Sequence, residues 1–455
     1  MPRGGGEMKR GIVLFLAIIA GKLLCFALSL FGRGSSLPGR AALLLCPNIL
    51  SKMRLPATIV AVTGSNGKTS TTELILRLAQ STGRTAISNS EGSNQTEGVV
   101  TLFLKHCSLL GRVRADIAVI ESDERYCQYT FRQFAPHYIV VTNLFRDQLT
   151  RNGNNEFVCK ELKKGLPAFS TLILNADDPL SASLGLNRDN VVYFAVDPIA
   201  FMESRGAPHA YDDGCRCPVC CGLMDYSYRT HNHLGAYACS FCGYARREPD
   251  HLLTNISGRS FVVDSLYDIS PQMVNTMFAN NIIAAFTAGT EAFGLTGEEI
   301  AQALSDYRLT NQRITEFRLG EHEGILMLSK HENSLSYNGA LAATVNSRSK
   351  QKTAVIIFDQ LSRKYIANDI SWLWDIDFEL LSDDRVKMVM LSGMFAHDLA
   401  ARLAYAGIDQ QKVRVQPDIN AAVEYLRRNA VGELFVMTCF TDIGKFTSRL
   451  GEDEK

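Results

Sequence analysis

Thr63-Gly64-Ser65-Asn66-Gly67-Lys68-Thr69-Ser70 joins an apolar run, Leu55 to Val62, to a helical stretch, Thr72 to Ser81. At such a strand-to-helix turn, free backbone N–H groups and the helix N-terminus attract phosphate oxygens. Lys68 would compensate phosphate charge, and the Thr69 hydroxyl would reach Mg²⁺. Val62 holds the first glycine position of the G-x4-G-K-[ST] spacing, so the assignment rests on strand, turn, lysine and hydroxyl arriving in that order. Gly64, Asn66, Gly67, Lys68, Thr69 and Ser70 are the candidate ATP-binding residues. Truncating Lys68 is expected to abolish turnover and leave the fold intact.

A second turn, this one acidic, follows the apolar run Ile117 to Ile120. In Glu121-Ser122-Asp123-Glu124 the carboxylates would stand at the C-terminal edge of a strand, and Glu121 is the expected second Mg²⁺ ligand. Asn143 to Gly153 follows another strand, so Arg146 and Asp147 are expected at the same edge. Cys217-x-x-Cys220 and Cys239-x-x-Cys242 have the spacing of a four-thiolate Zn²⁺ site. Four protein ligands leave no open position, so this zinc would be structural. Cys215, Cys221, His231 and His233 are nearby rival ligands. Asp369-Ile-Ser-Trp372-Leu-Trp374-Asp375 gathers both tryptophans between two aspartates, as core packing or as a surface facing a partner.

Elements of the right kind surround these turns. The 455 residues carry 47 Lys+Arg and 47 Asp+Glu, which fits a multidomain globular chain and gives no chain-wide attraction to nucleic acid. Twelve cysteines suggest a reducing, cytoplasmic setting. Apolar runs alternate with helix-length stretches, the pattern of a mostly parallel α/β sheet, and the pattern returns after residue 350. The expected division is an apolar helical segment over 1–50, an ATP-binding α/β domain over 51–319 with a four-cysteine insertion at 212–250, and a second α/β domain over 320–455. Ile12 to Phe31 is almost wholly apolar except for Lys22. Three readings stand: a helix packed on the protein or lying at a membrane surface, a membrane span, or a signal sequence.

The phosphate turn resembles the ATP site of the Mur ligases. Asn143-Leu-Phe-Arg-Asp-Gln-Leu149, Leu174-Asn-Ala-Asp-Asp-Pro179, the four-cysteine insertion and the Asp369 to Asp375 motif together resemble the MurT group, the ligase-type subunits of lipid II isoglutaminyl synthase. The resemblance implies a Mur-ligase central P-loop domain with a zinc-ribbon insertion, followed by a Rossmann-like C-terminal domain. It implies amidation of the D-glutamate α-carboxylate of lipid II through an acyl phosphate, with ATP, Mg²⁺ and Zn²⁺. Ammonia would come from a GatD-like glutamine amidotransferase partner. On the same resemblance Asn281 contacts adenine, Arg313 meets the nucleotide, Lys330 lies near the reacting phosphate, and Asp369, or else Asp375, completes the partner's triad. A single-chain amino-acid ligase and a non-catalytic nucleotide-binding scaffold are the alternatives.

Overall fold

The computed structural model describes all residues except 1–3, 31–35, 90–92, 148–151, 199–211, 258–259, 272–277, 306, 308–313, 331, 361–368 and 451–455; the side chains of 4–10 and 231 are also outside the description. The chain forms two compact units. One comprises Met1–Phe145, Asn155–Phe201 and Gly214–Leu309; the other comprises Arg146–Asn154, Met202–Asp213 and Thr310–Lys455. The second unit's main stretch opens ahead of Gly320, which instead turns a hairpin at φ +58°.

The first unit is built on a sheet of nine strands. They are β1 Thr58–Thr63, β2 Ala86–Ser88, β3 Ile117–Glu121, β4 Tyr138–Val141, β5 Thr171–Asn175, β6 Val191–Val196, β9 His251–Ser257, β10 Ser260–Val263 and β11 Tyr267–Ile269. Their spatial order is β11-β10-β9-β6-β5-β4-β1-β3-β2. Pairing is parallel from β2 to β9 and antiparallel beyond. Strand residues alternate between two buried faces. Val60, Val62, Ile117 and Val119 pack with Leu74, Ile75 and Leu78 of α3 (Lys68–Ser81, preceded in the chain by α1 Gly4–Ser29 and α2 Leu37–Leu45) and with the helix Ala279–Phe293. Ile59, Ala61, Ala118 and Ile120 pack with Val99, Val100 and Phe103 of α4 (Thr96–His106). Ala17 and Ile18 of α1 join this second core. Because β1 pairs with β3 on one side and β4 on the other, three parallel strands end together where β1 runs into α3.

Strands β7 Met224–His231 and β8 Leu234–Cys239 form a separate antiparallel ribbon carrying the cysteines at its base. It is fastened to the Asn175-Ala-Asp-Asp-Pro179 turn after β5. Arg246 Nε donates to Asp177 Oδ1 at 2.7 Å, Gly235 N–H to the Asp177 carbonyl at 2.9 Å, and the Tyr244 hydroxyl to the Pro179 carbonyl at 2.7 Å. Asp178 caps the short helix Pro179–Ser183 by accepting from the Leu180 and Ser181 N–H groups. Its other oxygen accepts the Leu144 N–H at 2.6 Å.

The second unit has six strands in the order β12-β13-β17-β14-β15-β16: β12 Ile314–Leu319, β13 His322–Ser329, β14 Lys352–Ile357, β15 Val386–Ser392, β16 Val413–Val415 and β17 Glu433–Cys439. All pairs are parallel except the β12–β13 hairpin. This Rossmann-like sheet is covered by Ala396–Tyr405 and Ser334–Asn346 on one face and Ile419–Asn429 on the other.

Asp178 is fully buried. Asp178→Ala removes a helix cap and leaves the Leu144 N–H without its acceptor, so it should destabilise the first unit by about 2–4 kcal/mol in denaturant unfolding. An unchanged midpoint would contradict the role given to this turn.

Candidate active site

Lys68 opens α3 with its side chain folded back over the turn. Its ammonium donates to the Gly64 carbonyl and to Glu124 Oε1, the latter at 2.6 Å, and it is only 7% exposed. The same Glu124 oxygen accepts the Gly64 N–H at 3.1 Å. One buried carboxylate therefore takes up the two donor types that a phosphate oxygen would use, a turn N–H and the lysine. Burial pushes the Glu124 carboxyl up, with the Lys68 charge opposing.

Thr69 follows with its hydroxyl donating to Glu121 Oε2 at 2.8 Å. Octahedral Mg²⁺ at about 2.0–2.1 Å sets neighbouring ligand oxygens about 2.9 Å apart, so this pair fits two adjacent positions of one ion. Glu121 is fixed from behind. Asn94 Nδ2 donates to its Oε1 at 3.0 Å, and buried Asn89 brackets its backbone, accepting the Glu121 N–H at 2.8 Å and donating to its carbonyl at 3.0 Å.

The loop after β4 holds the other side of the turn. Asn143 Oδ1 accepts the Asn66 N–H at 3.0 Å, the Thr142 hydroxyl donates to the Asn66 carbonyl at 2.7 Å, and the Ser65 hydroxyl donates to the Phe145 carbonyl at 2.9 Å. Gly64 (φ +127°) and Gly67 (φ +83°) cannot be replaced here: a Cβ on Gly64 would meet Thr142 Oγ1 at 2.2 Å, and one on Gly67 would meet Asn281 Oδ1 at 2.2 Å. Asn281, assigned to adenine by the resemblance, thus lies against the phosphate turn. Ser70 sits half-buried in the first turn of α3.

Sequence reasoning does not single out Glu124, although its position in an acidic run directly after β3 is the available signal. Its pairing also corrects the expectation for Lys68. Removing a buried lysine leaves a buried carboxylate uncompensated, so truncation reaches stability as well as turnover.

The remaining site residues belong to the second unit. Arg313 lies outside the described residues, and Lys330 directly follows β13. Asp369 is exposed, its Oδ1 accepting the Ser371 N–H at 2.9 Å, and the Ser371 backbone holds its carboxyl below the usual range. Asp375 is half-buried and 3.4 Å from Arg146 Nη1, and burial raises its carboxyl. Arg146 also pairs with Asp213 at 2.5 Å. The tryptophans divide between the two roles weighed for them. Trp372 is buried beside Tyr337 and Phe358, while Trp374 is exposed and stacks edge-on with Tyr405 at 4.9 Å.

The sulfurs of Cys217, Cys220, Cys239 and Cys242 all lie within 4.8 Å of one another. Cys217–Cys242 and Cys220–Cys239 are each 3.6 Å apart, close to the ~3.8 Å that a tetrahedral ion with about 2.3 Å Zn–S bonds requires. The two halves repeat one design. Cys217 N–H bonds to the Gly222 carbonyl as Cys239 N–H does to that of Tyr244, and Cys221 N–H bonds to the Cys217 carbonyl as Gly243 N–H does to that of Cys239. Cys221 and Gly243 both take positive φ, at 62° and 73°. Cys221 is thus a turn residue, and His233 lies away from the sulfurs, 4.4 Å from the Phe145 ring and 3.6 Å from Asp178 Oδ1.

Residues 62–204 match the Mur ligase middle domain, and residues 331–443 match the MurT ligase C-terminal family. The chain is 29% identical over 451 residues, 96% of both proteins, to the MurT subunit of lipid II isoglutaminyl synthase (glutamine-hydrolyzing) from Streptococcus pneumoniae. It is 29% identical over 389 residues to the MurT subunit from Staphylococcus aureus, covering 83% of this chain and 84% of that one. Among solved structures, a pseudomurein peptide ligase type C from Methanothermus fervidus shares the fold with a TM-score of 0.67 at 19% identity, over 90% of this chain and 81% of that one. MurF from Acinetobacter baumannii does so with a TM-score of 0.62 at 16% identity, over 91% and 80%.

The sulfur geometry predicts one tightly held zinc per chain. Cys239→Ser/Cys242→Ser should lose it in elemental analysis and expose the β7–β8 amides to rapid hydrogen exchange, while β1 and β3 stay protected. A metal-free wild-type protein with a protected ribbon would refute the structural role.

Proposed function

We propose that this chain is a MurT-like member of the Mur ligase family and, on that premise, an ATP-dependent carbon–nitrogen ligase that amidates the D-glutamate α-carboxylate of lipid II. The observation that carries the reading is a chain similar to MurT along 96% of its length that keeps Lys68, Thr69 and Glu121 together at one sheet edge. A carboxylate is a poor electrophile, and transfer of a phosphoryl group to it gives an acyl phosphate with a good leaving group. Ammonia then attacks the carbonyl carbon, forming the C–N bond as phosphate departs. Lys68 and the turn N–H groups offset charge on the transferring phosphoryl group, with Glu124 yielding its two donors to phosphate oxygen. Thr69 and Glu121 would hold Mg²⁺, which would supply positive charge against the charge developing on the transferring phosphoryl group. Asn281 and Arg313 would bind the nucleotide, and Lys330 would serve near the reacting phosphate.

The ammonia source in this reading is a GatD-like glutaminase subunit, and a lipid-linked acceptor puts the complex at the cytoplasmic face of the membrane. Asp369 is the preferred aspartate for orienting the partner's histidine, since its carboxylate is exposed and readily ionised whereas Asp375 is engaged by Arg146.

With the partner present, Asp369→Asn should lower glutamine-driven amidation by at least about 100-fold and leave amidation by added ammonium within about twofold of wild type, as seen by mass spectrometry of the stem peptide. Loss confined to Asp375→Asn would transfer the role to that residue. Failure of ammonium to support any variant, or preference for an amino acid over ammonia, would reject the amidation reading.

A further inference from the structure

Over Gly11–Ser29, helix α1 is apolar on both of its sides, and among the described residues only one side is packed. Ala17, Ile18 and Gly21 are buried against the first unit. A Cβ on Gly21 would lie 2.6 Å from Leu104 Cδ1 of α4, so the glycine permits close docking, and Gly111 approaches Leu14 and Ile18 from the loop after α4. The outer side presents Ile12, Phe15, Leu16, Leu23 and Phe26, with Leu16 54%, Leu23 63% and Phe26 69% exposed, and exposed Leu30 follows the end of the helix. The packed neighbours add Leu44 of α2 at 79% and Leu110 at 85%. A helix facing water turns polar residues outward, and an exposed apolar face of this extent marks a contact surface.

Charge identifies what covers it. From residue 1 to residue 54 the sequence carries eight Lys or Arg and a single Glu, in a chain whose overall formal charge is zero. Arg40 on α2, Lys105 at the end of α4 and Arg112 beside Leu110 are exposed around the apolar side chains. Lys22 is the one charged residue between Gly11 and Ser29, and it sits off the outer side, close enough to Lys105 that both bear on His106. Apolar side chains ringed by cations suit an anionic lipid surface, and such a ring opposes a second copy of the same surface.

We propose that α1 lies in the plane of an anionic bilayer surface, its outer side in the acyl boundary and Lys22, Arg40, Lys105 and Arg112 among the headgroups. The protein is held at the membrane by this face without crossing it. A span would have to undock Ala17, Ile18 and Gly21 from the ATP-binding unit or draw the charged ends of α2 and α4 into hydrocarbon. The inference deepens the proposed function, since it supplies the surface on which a lipid-linked acceptor would be met.

Flotation of the full chain with vesicles made of phosphatidylglycerol and phosphatidylcholine, free of any peptidoglycan precursor, tests the docking separately from the amidation. Binding should fall at least about tenfold on pure phosphatidylcholine and weaken with salt. Leu16→Glu/Leu23→Glu should lose at least about tenfold, with an unchanged melting temperature, while Phe169→Glu, on a residue 93% exposed elsewhere in the first unit, binds as wild type. Absent flotation, or flotation indifferent to Leu16→Glu/Leu23→Glu, overturns the proposal. So does a lipid-free dimer dissolved by that pair, or resistance of the cellular protein to alkaline carbonate extraction, which would mean a span.

Discussion

A lysine and a carboxylate buried against each other at the end of β1 set the terms for the rest of this structure. Taking two charges out of water is costly, and an isolated pair of this kind is seldom retained for stability alone. Here the pair keeps a cation desolvated and aimed at the mouth of a glycine-lined turn. Glu124 occupies the donors that phosphate would occupy, so Lys68 and Gly64 are held in a receiving geometry before any nucleotide arrives. Electrostatic groups fixed in advance need no reorganisation during phosphoryl transfer. The parallel sheet serves this arrangement by ending β3, β1 and β4 together, which delivers Glu121, the turn and Asn143 from separate strands to one place.

The four-cysteine ribbon is connected to that turn through a short series of contacts. Arg246 and Gly235 hold Asp177, and Asp178 beside it accepts the Leu144 N–H. Phe145 and Asn143, flanking Leu144, bond to Ser65 and Asn66 of the phosphate turn. Motifs far apart in the sequence thus share one physical task. The four cysteines could hold a metal that would organise the ribbon, and the ribbon's docking surface steadies the loop that steadies the phosphate turn.

What could be read from the sequence was local. The phosphate turn and the paired Cys-x-x-Cys knuckles are set by spacing within a few residues, and the strands β1, β3, β4 and β5 announce themselves as apolar runs because both their faces are buried. Strands β9, β11 and β12 escape notice, since their partly exposed, mixed sequences such as Ile314–Leu319 lack a continuous apolar run. Glu124 escapes because its significance lies in contact with Lys68, 56 residues earlier, which no local pattern encodes. The Trp372/Trp374 pair is ambiguous for a related reason: in a short 3₁₀ turn neighbouring side chains diverge, so one enters the core and the other faces out.

The account stands on the coupling between Lys68 and Glu124, and a double-mutant cycle in denaturant measures it. Lys68→Met alone should cost about 3–5 kcal/mol by stranding the buried carboxylate, and Lys68→Met/Glu124→Gln should recover most of that loss while binding no Mg·ATP. Additive costs, with Lys68→Met no less stable than the double variant, would show that the two residues do not form the buried pair on which this description of the phosphate turn rests.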